Sequence, residues 1–382
     1  GNSGLIDGFI FTINNNGARQ WSTYYGGPGN DYINGITNDG AANNVYVTGR
    51  TESATLIASA GVFQTALSGS ADAFIARFNG GSGANSFSTY YGGTGVDEGQ
   101  GISADASGGN VVITGQTNSI INIATAGAYQ STLGGSNDAF VAKINNTGTT
   151  RLWGTYFGGS GSEQGTDVVC NTGTGLISVI GYTTSTSGIA SANAHQSAYG
   201  GGSQDAFVAS FSGAGAMAWS TYYGGNDIDL GESIALDPNG NIIVAGATFS
   251  NTGISTPGSL QPALGGNYDA FVGKLTRFGQ RMWGTYFGNT LYDYGFGVAC
   301  DGGGQILLAG HTTSTAGIAT AGSAQTAYGG GTYDAFITKF RPDTFAFINQ
   351  PFTDTLVCAG GPLTVSYTAN FAHQPGNTFT AQ

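Results

Sequence analysis

Charged residues and cysteines are scarce in this sequence. Only 8% of its 382 residues are charged, whereas about a quarter is usual for a cytosolic protein. Three cysteines cannot form a disulfide framework. Ten basic residues face 22 acidic ones, and the net charge of −12 argues against binding to nucleic acid or anionic lipid. No apolar run approaches the roughly 20 residues that span a bilayer, so no direct membrane insertion is expected.

Glycine, aromatic and β-branched residues are abundant instead. The chain has 68 glycines, 19 tyrosines and 22 phenylalanines, and this aromatic content separates it from disordered chains of low charge. No window keeps a helical period, and glycine interrupts every stretch. The composition therefore predicts an all-β protein of many short strands joined by tight turns.

One tripeptide recurs at nearly constant intervals along the chain. It reads Asp-Ala-Phe in five copies and Asp-Gly-Phe in one, and successive copies are 65, 66, 67, 64 and 65 residues apart. A fixed period of this kind indicates a repeat architecture. The copies begin at Asp7, Asp72, Asp138, Asp205, Asp269 and Asp334.

Each repeated unit holds three further strand-like segments. An aromatic segment such as WSTYYGG follows the tripeptide, then one such as GISAD, and then one such as VYVTGRT. Each is short and bounded by Gly, Asn or Asp, which indicates a strand. Four strands per unit predict a β-propeller with four-stranded blades. The unit exceeds a minimal blade by about 20 residues, and we expect these insertions to emerge on one face of the disc.

The number of blades depends on how the chain begins and ends. Five units are complete, and a sixth Asp-Ala-Phe strand follows them. Five blades result if the first strands complete the last blade, and six result if a half-unit precedes them; we favour six. We assign residues 1–341 to the propeller and residues 342–382 to a linker and the opening strands of a second, partial β domain.

The repeated segments resemble a known family. The succession of WSTYYGG, a VYVTGRT strand and a segment ending in DAFVAK resembles the bacterial SBBP repeat, a β-propeller repeat, over residues 7–340. The resemblance implies a secreted or cell-surface protein of an outer-membrane bacterium, often exported by type IX secretion. It also implies that the partial β-sandwich at the C-terminus is an immunoglobulin-like module. It implies no catalytic residues.

Most carboxylates follow the repeat. Fifteen of the 22 recur at equivalent positions, where Asp is expected to cap turns by accepting backbone N–H bonds. One recurring set follows the Gly-Gly turn, and an alternative role for it is to bind Ca²⁺, the one candidate cofactor, within single turns. This set comprises Asp31, Asp97, Glu163, Asp229 and Asp293.

One position varies while its neighbours repeat. It lies between the Gly and the Thr that end the fourth segment of each unit, and together with the insertions it is our candidate contact surface. The alternative is a solvated position that tolerates any residue. The five residues at this position are Arg50, Gln116, Tyr182, Ala247 and His311.

No catalytic constellation is present in the sequence. The three histidines have no metal-ligand spacing, Cys170 and Cys300 are expected in the core, and the recurring Trp row is expected to pack blade on blade. We therefore expect a non-enzymatic surface module for adhesion or recognition, with a surface glycan or protein as partner. The alternative is a structural subunit of a surface filament, with other copies of itself as partners. A carbohydrate-active enzyme is the third hypothesis.

Overall fold

The computed structural model describes residues 4–40, 43–105 and 109–341. The chain is all-β over these ranges, and no helix in them is long and apolar enough to cross a membrane. The strands are β1 Gly8–Ile13, β2 Arg19–Tyr25, β3 Asp31–Asn38, β4 Asn44–Thr51, β5 Asp72–Asn79, β6 Asn85–Tyr91, β7 Asp97–Ala104, β8 Val111–Thr117, β9 Asp138–Ile144, β10 Arg151–Phe157, β11 Glu163–Cys170, β12 Ile177–Thr183, β13 Asp205–Phe211, β14 Met217–Tyr223, β15 Asp229–Leu236, β16 Ile242–Thr248, β17 Asp269–Leu275, β18 Arg281–Phe287, β19 Asp293–Cys300, β20 Ile306–Thr312 and β21 Asp334–Phe340.

The strands form six antiparallel sheets, which we call blades 1 to 6. Blades 2 to 5 are complete, with four strands each: β3–β6, β7–β10, β11–β14 and β15–β18. Blade 1 is the pair β1–β2, and blade 6 is β19–β20–β21. The all-β class and the four-stranded blades predicted from the repeat are confirmed. The described strands β1 and β2 do not pair with blade 6, so the first strands do not complete the last blade as the five-blade alternative requires.

The strand order places one strand of each blade at the centre. The first strands of successive blades, β3, β7, β11, β15 and β19, contact one another and are the inner strands. The short Gly-Gly segment, and not the long insertion, links one blade to the next: β6 ends at Tyr91 and β7 begins at Asp97. This link must cross three strand spacings, about 14 Å, which six extended peptide steps of about 3.3 Å can reach.

The hydrophobic core lies between blades. Alternate residues of a strand point to opposite faces, so each third strand packs on both neighbouring blades. Between blades 3 and 4, for example, Ala139 and Val141 of β9 pack with Phe207 and Phe211 of β13, all buried. Five such clusters fill the five spaces between the six blades. Stability therefore comes mainly from contacts between neighbours, as in other repeat proteins.

The recurring Trp stacks on a glycine of the following blade. Trp153 donates its indole N–H to the carbonyl oxygen of Gly213, 3.0 Å away in the next blade's hairpin. In the same hairpin Gly215 has φ +84°, and a Cβ atom there would lie 2.7 Å from Trp153 Cδ2. Trp21 makes the equivalent N–H bond to Gly80 at 2.7 Å, and Trp219 to Arg277 at 3.0 Å. The Trp row thus packs blade on blade, as its recurrence predicts.

Each long insertion lies along the outermost strand of its own blade. In blade 3, Thr125 N–H donates to the Gly154 carbonyl of β10 at 2.9 Å, and Ile123 is buried in the core. Gln130 then bonds Asp138, at the start of the third strand, and Gly158, at the start of the link to the next blade. The insertion therefore covers the open edge of the blade, which protects it from pairing with other chains. The C-terminal linker and the immunoglobulin-like module predicted for residues 342–382 lie outside the described residues.

Candidate functional site

The recurring carboxylates meet in pairs at the junctions between blades. Asp72 begins the third strand of blade 2, and Asp97 begins the inner strand of blade 3. Both lie against Gly92 of the Gly-Gly link: a Cβ atom there would be 2.6 Å from Asp97 Oδ2 and 2.8 Å from Asp72 Oδ1. Only glycine fits this crossing. The equivalent pairs are Asp7 with Asp31, Asp138 with Glu163, Asp205 with Asp229, and Asp269 with Asp293.

Hydrogen bonds hold each carboxylate of a pair. Asp97 Oδ2 accepts from Gly93 N–H at 2.8 Å and from the Ser119 hydroxyl at 2.7 Å, and Oδ1 accepts from Thr117. Asp72 Oδ2 accepts from the Gln64 amide at 2.7 Å and from Ser68 N–H at 3.0 Å. Burial outweighs these bonds and raises the pKa of Asp72 to about 6 and of Asp97 above its usual value.

The junctions provide few ligands for a metal ion. Each brings together two carboxylates, whereas Ca²⁺ takes six to eight oxygen ligands. No group of three or more His, Cys, Asp or Glu side chains in the described parts of the chain is placed to hold a metal. The role that the geometry shows for Asp31, Asp97, Glu163, Asp229 and Asp293 is to accept backbone N–H bonds from the Gly-Gly link, at 2.7–2.9 Å. Calcium binding by this set stays a prediction.

The variable positions lie beside the inner strands. Each is the next-to-last residue of a blade's second strand, and each is directly paired with the second residue of the inner strand. The pairs are Arg50 with Tyr32, Gln116 with Glu98, Tyr182 with Gln164, Ala247 with Leu230, and His311 with Tyr294. The residue type at this inner-strand position also differs from blade to blade. Two variable side chains therefore stand together at the same end of every blade from 2 to 6.

A third variable residue lies on a β-bulge of each inner strand. The register with the second strand shifts after the third residue of each inner strand, so the fourth residue has no directly opposite partner. Bulges re-aim a side chain, and here it reaches the next blade. Asn34 donates to Glu98 Oε1 at 3.1 Å and to the Gly99 carbonyl at 2.9 Å. The bulge residues are Asn34, Gln100, Thr166, Glu232 and Phe296.

We call these three sets together the axial belt. Its side chains bond to one another within and between blades. Gln116 donates to Glu98 Oε2 at 3.2 Å, and Tyr182 donates to Gln164 Oε1 at 2.7 Å. Tyr294 of blade 6 donates its hydroxyl hydrogen to Glu232 of blade 5. These bonds form three separate groups, which are Asn34 with Glu98 and Gln116, Tyr182 with Gln164, and Tyr294 with Glu232.

Two carboxylates of the belt flank Tyr182. Burial, and then the negative charges of Glu232 and Glu98, raise the pKa of Tyr182. Burial likewise raises the pKa of Glu232, although the Tyr294 hydrogen bond opposes this. Because the belt's one Arg is paired with Glu52 at 2.6 Å, the belt's unpaired charge is negative. This arrangement suits hydroxyl donors or cations and disfavours anionic ligands.

Aromatic rings gather at the blade 6 end of the belt. The His311 ring lies 4.3 Å from Tyr333, 5.0 Å from Phe296 and 5.6 Å from Tyr294, centroid to centroid. His311 Nε2 is buried and has no hydrogen-bond partner among the described residues. Burial lowers the pKa of His311, which favours the neutral ring. The cluster offers flat apolar ring faces.

The sequence predicted only one of the three residue sets that make up the belt. The inner partners and the bulge residues were missed, although the signal was the same: the residue after the Gly-Gly-turn carboxylate reads Tyr, Glu, Gln, Leu and Tyr in successive units. The thiols behave as expected for core residues. Cys170 is buried and burial raises its pKa to about 11, and Cys300 packs half-buried against the last cluster. Cys358 lies outside the described residues.

Comparison with known families supports the repeat assignment. Residues 20–55 and 218–251 match the sequence model of the SBBP family, described as a beta-propeller repeat. These two segments are similar to SBBP β-propeller repeats. Each SBBP match covers the last strand of one blade and the first two strands of the next, and so contains one set of belt residues. No curated protein matches the chain.

Three solved structures show weak likeness to the chain. A Xanthomonas campestris gluconolactonase is 12% identical at TM-score 0.34, covering 73% of this chain and 69% of that one. The tricorn protease is 9% identical at TM-score 0.36, covering 77% and 24%. A PQQ-bound aldose sugar dehydrogenase from Streptomyces coelicolor is 12% identical at TM-score 0.30, covering 70% and 88%. At these scores none supports an argument about activity.

Proposed function

We propose that this protein is a non-catalytic extracellular recognition module that binds a neutral, polyhydroxylated ligand, such as a cell-surface glycan, at the axial belt. One observation carries the proposal: blades 2 to 6 each place three variable side chains at one end of the inner strand, all at least partly exposed except the buried Ala247, while the surrounding frame repeats. A repeat frame with variable side chains on one surface is the arrangement by which repeat proteins recognise ligands.

The chemistry of the belt favours sugars among the ligand classes. Glu98, Gln116 and Gln164 are side chains that exchange hydrogen bonds readily with hydroxyl groups. The rings around His311 provide faces on which the C–H surface of a sugar packs. The belt's negative charge disfavours acidic ligands, as does the net charge of −12.

The absence of catalysis is part of the proposal. A glycosidase needs an acid and a second carboxylate about 5–10 Å apart across the substrate. Glu98 and Glu232 both face Tyr182, but Tyr294 already occupies Glu232 as a hydrogen-bond donor. Asp167, another carboxylate outside the repeat, accepts bonds from Val168, Ser233 and Ile234 and holds blade 4 to blade 5. These bonds give the carboxylates binding and structural roles.

A glycan array tests the proposal. The full chain is compared with a variant carrying Arg50→Ala, Tyr182→Ala and His311→Ala, and with a control carrying Arg277→Ala, Tyr328→Ala and His195→Ala outside the belt. We expect the chain and the control to retain the same neutral glycans and the belt variant to lose them, with all three melting cooperatively. Retention by the belt variant would contradict the proposal. Cleavage of the retained glycan, lost in Glu98→Gln or Glu232→Gln, would make the protein an enzyme instead.

A second candidate function is supported by a separate observation. The chain has few charged residues, 8% of the total, and its insertions are rich in Ser, Thr and Asn, which favours a structural subunit whose copies pack into a surface filament. Electron microscopy of native material from the cell surface tests this function. Regular filaments built from blade arrays would support it, and isolated particles at all concentrations would contradict it.

A further inference from the structure

A row of aromatic rings crosses the junction between blades 5 and 6, outside the axial belt. Phe249 follows the second strand of blade 5, Tyr268 precedes the third strand of blade 5, and Tyr292 precedes the inner strand of blade 6. We call these three residues the aromatic row. The ring centroid of Tyr268 lies 4.8 Å from that of Phe249 and 4.8 Å from that of Tyr292. It also lies 5.9 Å from the ring centroid of Tyr294, so the row adjoins the belt.

The fold does not need these rings. Tyr268 and Tyr292 form a parallel β-bridge across the junction, and three other junctions form the same bridge without an aromatic residue. Those bridges join Ile6 to Asn30, Ala71 to Val96 and Asn137 to Ser162. The residues of other blades at the position of Phe249 are not aromatic either, and they are Glu52, Asn118, Thr184 and Thr313. The aromatic row is therefore an addition that the packing of a junction does not require.

Tyr292 presents an exposed ring that is held in place. The residue is 40% exposed, while its backbone N–H donates to the Thr313 hydroxyl at 3.0 Å and its carbonyl accepts from Thr313 N–H at 2.8 Å. The Tyr268 ring packs against the Tyr292 ring, as given above. An exposed ring that is already fixed loses little conformational entropy when a ligand packs on it.

The exposure of Tyr292 does not come from the end of the blade array. The equivalent positions at the four preceding junctions lie between blades that are both described, and each of them is partly exposed as well. These positions are Asn30, Val96, Ser162 and Ile228. The surface of the row is therefore open for the same reason in all blades: the link between blades runs along one face of the disc.

The chemistry of the row matches an uncharged sugar ring. Its three side chains carry no charged group, and each tyrosine combines an apolar ring face with a hydroxyl at the edge. A pyranose has the complementary arrangement, with a C–H face and hydroxyl groups around its rim. Where the row meets the belt, Tyr294 donates its hydroxyl hydrogen to Glu232, and the negative charge of this carboxylate disfavours an acidic ligand.

We propose that the aromatic row is a stacking subsite for one pyranose ring of a neutral oligosaccharide whose neighbouring rings bind the axial belt. The inference rests on the proposed function and deepens it, because it makes the ligand a chain of several sugars and not a single sugar. Tyr292 provides the exposed ring face, and Tyr268, with Phe249 behind it, holds that face in place. The belt supplies the hydrogen bonds to hydroxyl groups, and the row supplies the packing against C–H groups.

Calorimetric titration with sugars of different length tests the subsite. The probes are cellohexaose, mannohexaose and chitohexaose, each compared with its disaccharide. Tyr292→Ser introduces the residue that the chain carries at Ser162, so the variant is expected to melt like the parent chain. We expect it to bind the hexasaccharide about tenfold more weakly and to lose most of the gain in affinity over the disaccharide. Tyr292→Phe keeps the ring and should retain this gain.

Saturation-transfer NMR gives a readout that is specific for stacking. When the aromatic protons of the full chain are saturated, the signal should reach the C–H protons of the bound hexasaccharide. At equal occupancy this transfer should be weaker in Tyr292→Ser and unchanged in Tyr292→Phe. The control is Tyr129→Ala, at a 47% exposed tyrosine in the insertion of blade 3, which should match the parent chain in both experiments.

Three results would overturn the inference. Hexasaccharide binding that is equal in Tyr292→Ser and the parent chain, but weaker in Tyr182→Ala, would refute the subsite and leave recognition by the belt standing. An equal loss in Tyr129→Ala and Tyr292→Ser would show that the effect is not specific to the row. A parent chain that binds none of the probes would contradict both the subsite and the proposed function.

Discussion

Asp205 and Asp229 come from neighbouring blades, and their carboxylates meet at Gly224, where a Cβ atom would lie 3.1 Å from Asp205 Oδ1 and 2.7 Å from Asp229 Oδ2. Burial, together with the charge of Asp229, raises the pKa of Asp205 to about 7, and burial raises the pKa of Asp229 to about 6. An exposed Asp has a pKa near 3.9, so the folded chain binds protons that the unfolded chain releases. Protonation of these two buried carboxyls therefore favours the folded state.

Stability should therefore fall as the pH rises. The stabilisation from these protonated groups is complete below about pH 4 and is lost as the pH passes through about 6–7, because the folded pKa values lie above the unfolded ones. We expect the melting temperature to fall by on the order of 5 °C between pH 5 and pH 8. Differential scanning calorimetry across this range checks the prediction.

Two substitutions test whether the junction carboxylates, and not other carboxylates, cause this pH dependence. Asp205→Asn removes a group with a raised pKa and should flatten the pH dependence. Asp301→Asn is the control, because hydrogen bonds from Gln305 and Gly303 lower the pKa of Asp301 and place its titration below this window. A slope that is the same in Asp205→Asn and the parent chain would show that the buried junction carboxyls do not cause the pH dependence.

Gly215→Ala should destabilise the chain more than its backbone conformation alone explains. Gly215 has φ +84°, and an added Cβ would also press on the Trp153 ring at 2.7 Å. We expect a loss of about 2–4 kcal/mol in the free energy of unfolding. The control is Gly175→Ala at φ +72°, with no atom within 4 Å of the added Cβ, and it should lose only about 1 kcal/mol. Urea unfolding gives both values; equal losses would refute the packing role of the Trp row.

Removing the glutamine that clamps an insertion should release that insertion. Gln130 donates to Asp138 Oδ2 at 2.6 Å and accepts from Gly158 N–H at 2.9 Å, so it ties the insertion to the third strand of blade 3 and to the start of the link to blade 4. In Gln130→Ala both partners lose a bond, which costs about 1–3 kcal/mol. We expect faster hydrogen exchange at Thr125 and Tyr156, whose amides the insertion orders. Gln20→Ala, at an exposed position, should change nothing; unchanged exchange in Gln130→Ala would count against the clamp.

Thiol reactivity should distinguish the two described cysteines. In a Cys358→Ser background at pH 8, Cys170 should resist a maleimide, because the thiol is buried and its pKa is about 11. Cys300 is half-buried and should react first. Mass spectrometry of the labelled peptides gives the order. Equal rates in the folded chain would mean that blade 4 opens far more readily than its packing suggests.

The strands could be predicted from the sequence because the repeat marks where they begin. Asp72, Asp138, Asp205 and Asp269 each start a third strand, and Asp97 and Asp229 each start an inner strand. The repeat did not show which strands belong to the same sheet. A long insertion resembles a link between blades, yet it stays within one blade, and the short Gly-Gly segment makes the crossing. Gly92 and its equivalents allow this crossing because a Cβ would collide with the carboxylate pair.

The belt could be predicted only in part, because two of its features depend on pairing. The sequence pointed to Arg50, Tyr182 and His311 because the residue type at their position differs between otherwise similar units. Their inner partners become neighbours only through the register of two strands. The bulge at Glu232 is set by a single unpaired residue between Gly231 and Ser233, and no local pattern distinguishes it from an ordinary strand position.

The most direct test of the central claim is calorimetric titration of the full chain with the oligosaccharide that it retains best. The account predicts saturable binding at one belt per chain. It predicts at least tenfold weaker binding in Tyr182→Phe and Glu232→Gln, roughly the loss of one hydrogen bond to a buried group. Binding that is unchanged in both variants would contradict recognition by the axial belt.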